Sequence, residues 1–201
     1  MRVQGQTKKV IHMMIIDLKA EDKDLIGQAA QLLYESFIGI SLAWPSLEKA
    51  LEEVYDSISE SGDGQISRVA VDQGAVVGWI GGKSMYDGNV WELHPLVVKE
   101  SFRGKGIGRA LVEDLEKLVA ERGALTIWLG TDDENGATSL SDTDLYENLE
   151  EKISGIKNLK RHPFEFYQKV GFSIVGVMPD ANGIGKPDIY MAKRVARKEQ
   201  K

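Results

Sequence analysis

Apolar side chains recur along this chain with two periods, and the switches between them mark out its elements. Near the start, Met13, Met14, Ile15, Ile16 and Leu18 sit in the run MMIIDL, which predicts a strand. Leu25, Ile26, Ala29, Leu32, Leu33 and Phe37 then return at helical spacing and predict an amphipathic helix over 24–37. After Trp44-Pro45, Ser46 stands where it can cap a second helix with Leu47, Leu51, Val54, Tyr55 and Ile58 on its apolar face, and SGDG ends that helix. Three strand-like segments follow, ISRVAVD, AVVGWIGGKSM and NVWELHPLVV, joined through Gln73-Gly74 and Asp87-Gly88-Asn89. These joins read as tight hairpin turns, so the three segments predict an antiparallel meander.

The helical period comes back between Gly106 and Arg122, with Ile107, Leu111, Leu115, Leu118 and Val119 on one face and Gly123 just past the end. LTIWLG predicts the next strand. The stretch 131–161 opens acidic and predicts an extra helix, with Ser141 and Asp144 capping Leu145, Leu149 and Ile153. HPFEFYQKVGF predicts a short helix with Pro163 in its first turn and Gly171 at its end, then FSIVGVM and residues 188–192 predict two closing strands. Helices, a meander and a β-α-β crossover together give an α/β fold with a mixed, mostly antiparallel sheet flanked by helices. No repeat or linker-like tract divides the chain. One domain is expected over 14–195, with residues 1–13 an extension outside the fold and 196–201 a basic tail.

Composition narrows the function. The 201 residues carry no cysteine, so disulfides and thiolate chemistry from the chain itself are excluded. A formal net charge of -6 weighs against nucleic acid as a partner and suits a cationic one. No apolar run is long enough to span a bilayer and the N-terminus lacks a secretory pattern, so a cytoplasmic protein without a membrane role is expected.

The candidate chemistry concentrates in WELHPLVVKESFRGKGIG, residues 91–108. RGKGIG lies where a strand ends and a helix begins, and its glycines let backbone N–H groups converge on an anion at the helix N-terminus. It is neither the dinucleotide fingerprint, since Arg109 and Leu111 stand where a third glycine would fall, nor a Walker A loop. It does match Arg-x-x-Gly-x-Gly through Arg103, Gly106 and Gly108. In this turn, in the element order from Met14 to Lys193 and in FYQKVGF, the chain resembles the GCN5-related N-acetyltransferases (GNATs).

The resemblance implies the GNAT fold and acetyl-CoA as cosubstrate, with no metal. It implies that Leu96, Val97, Val98, Arg103, Gly104, Lys105, Gly106, Ile107, Gly108 and Arg109 hold the donor, the turn cradling its pyrophosphate. It also implies that Tyr167 stands beside the donor's sulfur. Many members carry Asn and Ala seven and four residues before that Tyr, where this chain has Lys160 and Pro163, so contacts made by the Asn are not carried over.

Strand alternation places Glu92 and His94 on one face and turns Trp91, Leu93 and Pro95 the other way. An amine must lose a proton before it attacks a thioester, and a carboxylate can take it. Glu92 is the candidate base, with His94 positioning a water or sharing the relay. The Leu96 N–H is the candidate oxyanion donor and Tyr167 the candidate acid for the leaving thiolate. A solvated hairpin face remains the plain reading of Glu92 and His94 alone.

WELHPLVV, LGTDD, SDTDLYE, HPFEFY, VGVMPDANG and KPDIYMAK are further similar to strings in the aminoglycoside 6′-N-acetyltransferases, particularly the enterococcal chromosomal type. That resemblance implies acetylation of the 6′-amine of antibiotics such as tobramycin, and a homodimer. Asp132 and Asp133, leaving the central sheet, are the expected substrate carboxylates among the acids of 132–147, with Glu92 the third. Trp44 either stacks on a sugar ring or packs in the core. Two other functions stay open: an acetyltransferase for another polyamine or a protein amine, and a CoA- or aminoglycoside-binding protein without turnover.

Overall fold

The computed structural model describes residues 13–41, 43–59 and 64–196, so the expected extension, apart from Met13, and most of the tail lie outside the described residues. Met13 itself opens strand β1 (Met13–Asp17), one residue earlier than the expected domain start. Two helices follow, α1 (Lys23–Phe37) and α2 (Leu47–Ser59), and Ser46 caps the second as predicted, its Oγ accepting the Lys49 N–H at 3.3 Å. Then come the meander β2 (Gln65–Asp72), β3 (Ala75–Met85) and β4 (Val90–Val98), the helix α3 (Ile107–Glu121) and strand β5 (Thr126–Asp132). Short helices α4 (Leu149–Ser154) and α5 (Phe164–Lys169) lead to β6 (Ser173–Met178) and β7 (Asp188–Arg194).

The strands form one seven-stranded sheet in the order β1-β2-β3-β4-β5-β7-β6. Every neighbouring pair is antiparallel except β4 with β5. Two apolar layers cover it. On one face Ile107, Leu111, Val112, Leu115 and Val119 of α3 pack with Trp91, Leu93, Ile127, Leu129, Ile189 and Met191 from the strands and with Phe164, Tyr167 and Phe172 around α5. On the other, Ile26, Ala29, Ala30 and Leu33 of α1 and Val54 of α2 pack over Val69, Val71, Trp79 and Val97. Full burial of each such leucine contributes roughly 2 kcal/mol. Among the described residues no helix is long and apolar enough to cross a membrane.

The segment after β5 departs from the expected helix. Only its last part, α4, is helical, and Asp144 caps a local turn instead, its Oδ1 accepting the Tyr146 N–H at 2.9 Å. The cause is side-chain competition for the backbone. Asp133 takes the N–H groups of Ala137 and Thr138, and Asp142 and Asn148 adopt φ of 53° and 52°, which a helix excludes.

Candidate active site

Strands β4 and β5 are paired only from Val90 to Glu92, against Thr126 to Trp128. Beyond Glu92 they part, while β4 stays on β3 and β5 stays on β7. The Lys99 N–H donates to the Val77 carbonyl at 2.9 Å, so by alternation the N–H groups of Leu96 and Val98 face away from β3, into the gap. A cleft with free main-chain donors is thereby opened inside the sheet.

A bulge on β4 sharpens this geometry. Leu93 pairs with Gly82 but Leu96 with Ile80, one residue more on β4 than on β3. Gly81 makes room for it, since a Cβ there would stand 2.2 Å from the His94 carbonyl oxygen. The His94-Pro95 peptide within it is cis. Strict alternation continued past Pro95 would send the Leu96 side chain to the Glu92 face. The bulge turns Leu96 and Val98 to the α3 side with Trp91 and Leu93, and Val97 to the α1 and α2 side.

Glu92 is half-buried at the last paired position, opposite Trp128, and His94 lies exposed beyond it on the sheet face away from α3. The His94 Nε2 is 3.8 Å from Oε1 of Glu53 on α2. Glu53 Oε2 in turn accepts the Trp44 indole N–H at 3.3 Å. Trp44 is therefore not an exposed stacking surface: it is 8% exposed, meets Phe37 edge-on at 4.6 Å, and lies 5.7 Å from the His94 ring. It packs between Phe37 and His94, and Glu53 is a partner of both the Trp44 and His94 rings that the sequence pattern did not single out.

The acidic end of β5 divides into a surface and an interior carboxylate. Asp132 is exposed, and its Oδ1 accepts from Asn182 at 2.6 Å. Asp133, expected to share substrate contacts, is 1% exposed and is instead an internal fastener. Its oxygens take the N–H groups of Ala137 and Thr138 and the hydroxyls of Thr138 and Ser141 at 2.6–2.8 Å. Burial alone would raise its pKa, but those donors outweigh it and the carboxyl is held below its ordinary value.

A third acid, Asp188, pairs across the ladder with Asp132, and sequence reading missed it. Its carboxylate lies over Gly130, where a Cβ would stand 2.5 Å from Oδ2, and its buried Oδ1 has no hydrogen-bond partner. Burial first, and then the charges of Asp132 and Glu92, push this carboxyl up to about 6. Trp128 and Tyr190 meet edge-on at 5.6 Å on the same face. The signal was present in alternation: Ile127, Leu129, Ile189 and Met191 are the core positions, which leaves 128, 130, 132, 188 and 190 on the open face.

The glycine turn closes the other end of the cleft. Gly104 and Gly106 have φ of 74° and 87°, and no atom lies within 4 Å of where their side chains would stand. No side chain caps α3, so its first N–H groups point into this open cradle. Arg103 Nε donates to the Val98 carbonyl at 3.1 Å, Arg109 to that of Lys169 at 2.9 Å, and the Lys105 ammonium lies 4.6 Å over the Phe102 ring. Gly108 lets Phe166 of α5 approach, with a Cβ to ring distance of 3.2 Å, which seats the turn beside Tyr167. The Tyr167 ring is buried between Phe166 and Phe172 at 5.2 and 5.7 Å, and burial raises its pKa, keeping the phenol protonated. Among the described residues no group of three or more His, Asp or Glu is arranged to hold a metal ion.

A sheet that parts at its centre above an uncapped glycine turn offers main-chain donors and a cradle for an anionic ligand, and comparison with known proteins makes this specific. The acetyltransferase (GNAT) family model matches residues 28–148, and the chain belongs to that family. Its acetyl donor is acetyl-CoA, and the free donors of β4 and the open cradle at Gly104 and Gly106 fit a ligand with amide and pyrophosphate groups.

Among solved structures, an aminoglycoside 6′-N-acetyltransferase complexed with coenzyme A is 42% identical, with a TM-score of 0.84 over 93% of this chain and 99% of that one. The aminoglycoside 6′-N-acetyltransferase from Enterococcus faecium is 44% identical with a TM-score of 0.83 over the same shares. An aminoglycoside 6′-acetyltransferase of type Ii is 37% identical with a TM-score of 0.68, over 92% of this chain and 99% of that one. No curated protein sequence matches the chain significantly.

Proposed function

We propose that this enzyme acetylates the 6′-amine of aminoglycoside antibiotics by direct attack of the amine on the thioester of acetyl-CoA. The observation that carries this is the open face beside the parted strands, where Glu92, Asp132 and Asp188 surround the Trp128 and Tyr190 pair. A sugar bearing several ammonium groups offers what such a face binds, apolar ring faces and positive charge. The 42–44% identity to aminoglycoside acetyltransferases over most of the chain supports the same acceptor.

Glu92 takes the amine proton, directly or through a water that His94 orients. The freed nitrogen forms its bond to the acetyl carbonyl carbon while the Leu96 N–H stabilises the oxygen's growing charge. As the carbon–sulfur bond breaks, Tyr167 gives its proton to the departing thiolate. The main chain of Val97 and Val98 and the turn from Arg103 to Arg109 hold the donor in register. No residue becomes acetylated. Our reading includes a cytoplasmic homodimer, which light scattering checks for the dimer.

Thiol release from acetyl-CoA is measured with tobramycin, a linear polyamine and a histone-like peptide. Fastest release with tobramycin supports the assignment; release with only the polyamine or the peptide moves the substrate class, and none with any aminoglycoside refutes it.

A further inference from the structure

We infer, on the role proposed above for Tyr167, that His162 is a positioning residue for transfer, tying the end of β5 to the start of the helix that carries the acid. Helix α5 is six residues long, too short to hold its own orientation, and its N-cap, Pro163, has no side chain that can satisfy the first amide. The imidazole does so from the residue before: the Phe164 N–H donates to His162 Nδ1 at 3.2 Å. With Nδ1 accepting, the proton must sit on Nε2, and Nε2 lies 3.1 Å from the main-chain oxygen of Asp132. One neutral tautomer thus joins the last residue of β5 to the first residue of α5.

The imidazole is itself fixed. It is 4% exposed and lies against the Phe164 ring at 5.8 Å. Its backbone is clamped by Asn158, whose Oδ1 accepts the His162 N–H at 2.7 Å and whose amide donates to the His162 carbonyl at 2.9 Å. Asn158 is bridged to Thr138, and Thr138 is held by Asp133. The segment between β5 and α5 is therefore a brace that ends in His162. Five residues further on, in the first turn of α5, stands Tyr167. A hydroxyl displaced by about 1 Å can cost a hundredfold in rate.

The test replaces His162 with Asn, whose amide oxygen can stand near Nδ1 but cannot reach Asp132, and with Gln, whose amide nitrogen can stand near Nε2. Both keep a polar group at the site should His162→Ala not fold. Thiol release from acetyl-CoA with tobramycin is followed for each, alone and combined with Tyr167→Phe. In the single variants kcat should fall roughly tenfold or more, with KM for acetyl-CoA within about twofold of wild type. In the Tyr167→Phe background the second substitution should cost nothing further, because the hydroxyl it positions is already gone. Wild-type kcat in both His162 variants, or a cost that multiplies with that of Tyr167→Phe, overturns the inference alone. Wild-type kcat in Tyr167→Phe overturns the acid role and this inference with it.

Discussion

Replacing Asp188 with asparagine should make the protein more stable near neutral pH and a poorer enzyme. In the fold this carboxyl sits at about 6 against 3.8 for the free group, with burial the largest cause and the charges of Asp132 and Glu92 next. The folded state therefore holds the proton more tightly than the unfolded chain. Stability from this group is fully present below about pH 3.8 and is lost as pH rises through about 6. The shift corresponds to about 3 kcal/mol. Because Asp188 is only partly buried, solvent screening reduces this to about 1 kcal/mol. Asparagine keeps the shape and one acceptor but carries no charge. The stability gap between variant and wild type should thus widen from pH 4 to pH 7.5, by about 2–4 °C in thermal melts of a chain this size. In steady-state assays KM for a cationic acceptor should rise severalfold, since one of three carboxylates on the open face is lost. An equal gap at both pH values, or one that narrows toward neutrality, refutes the reasoning.

Glu92→Gln should lower kcat about a hundredfold or more while CoA affinity by calorimetry stays within about twofold; normal turnover would remove Glu92 as the base. Asp133→Ala leaves four donors without their acceptor, the two of Thr138 buried and those of Ala137 and Ser141 part-buried, and should destabilise by about 3 kcal/mol, read as a lower urea midpoint, and a small loss would show the loop repacks. Gly81→Ala drives a Cβ into the His94 carbonyl, and soluble yield and melting temperature should both fall sharply. Burial holds His162 below 6.5, against the opposing pull of the Asp132 carbonyl and the carboxylates of Asp133 and Asp132. Its contribution is full above pH 6.5 and lost as pH falls, so urea midpoints should decline toward pH 5 less steeply in His162→Asn than in wild type.

The periodicities made the helices, meander and crossover legible, because each element buries one continuous face. Glu92 and the glycine turn drew notice for a different reason, because their spacing is local and their chemistry restrictive, whereas Tyr167 was singled out by the resemblance of FYQKVGF to the family. What escaped depends on contacts between distant segments. Asp133 and Asp132 look alike in sequence, and only the loop that folds back over Asp133 tells the fastener from the surface acid. Trp44 was left between two environments until α1 and α2 closed around it. The bulge in β4 is written partly in Gly81, a residue on another strand, so alternation along β4 alone could not give the facing of Leu96. His162 was visible only as part of HPFEFY, since its partners are two main-chain atoms thirty and two residues away.

A sheet that parts at its centre is two half-sheets, β1 to β4 and β5 to β7, hinged on three register pairs. Hydrogen bonding couples the halves weakly, and the shared apolar layer beneath α3 carries most of their union. Cooperativity in the free enzyme must then pass through side chains rather than through the ladder. Amide exchange on either side of the parting should consequently slow when acetyl-CoA is added, as the ligand lends the fold the continuity its own backbone leaves out.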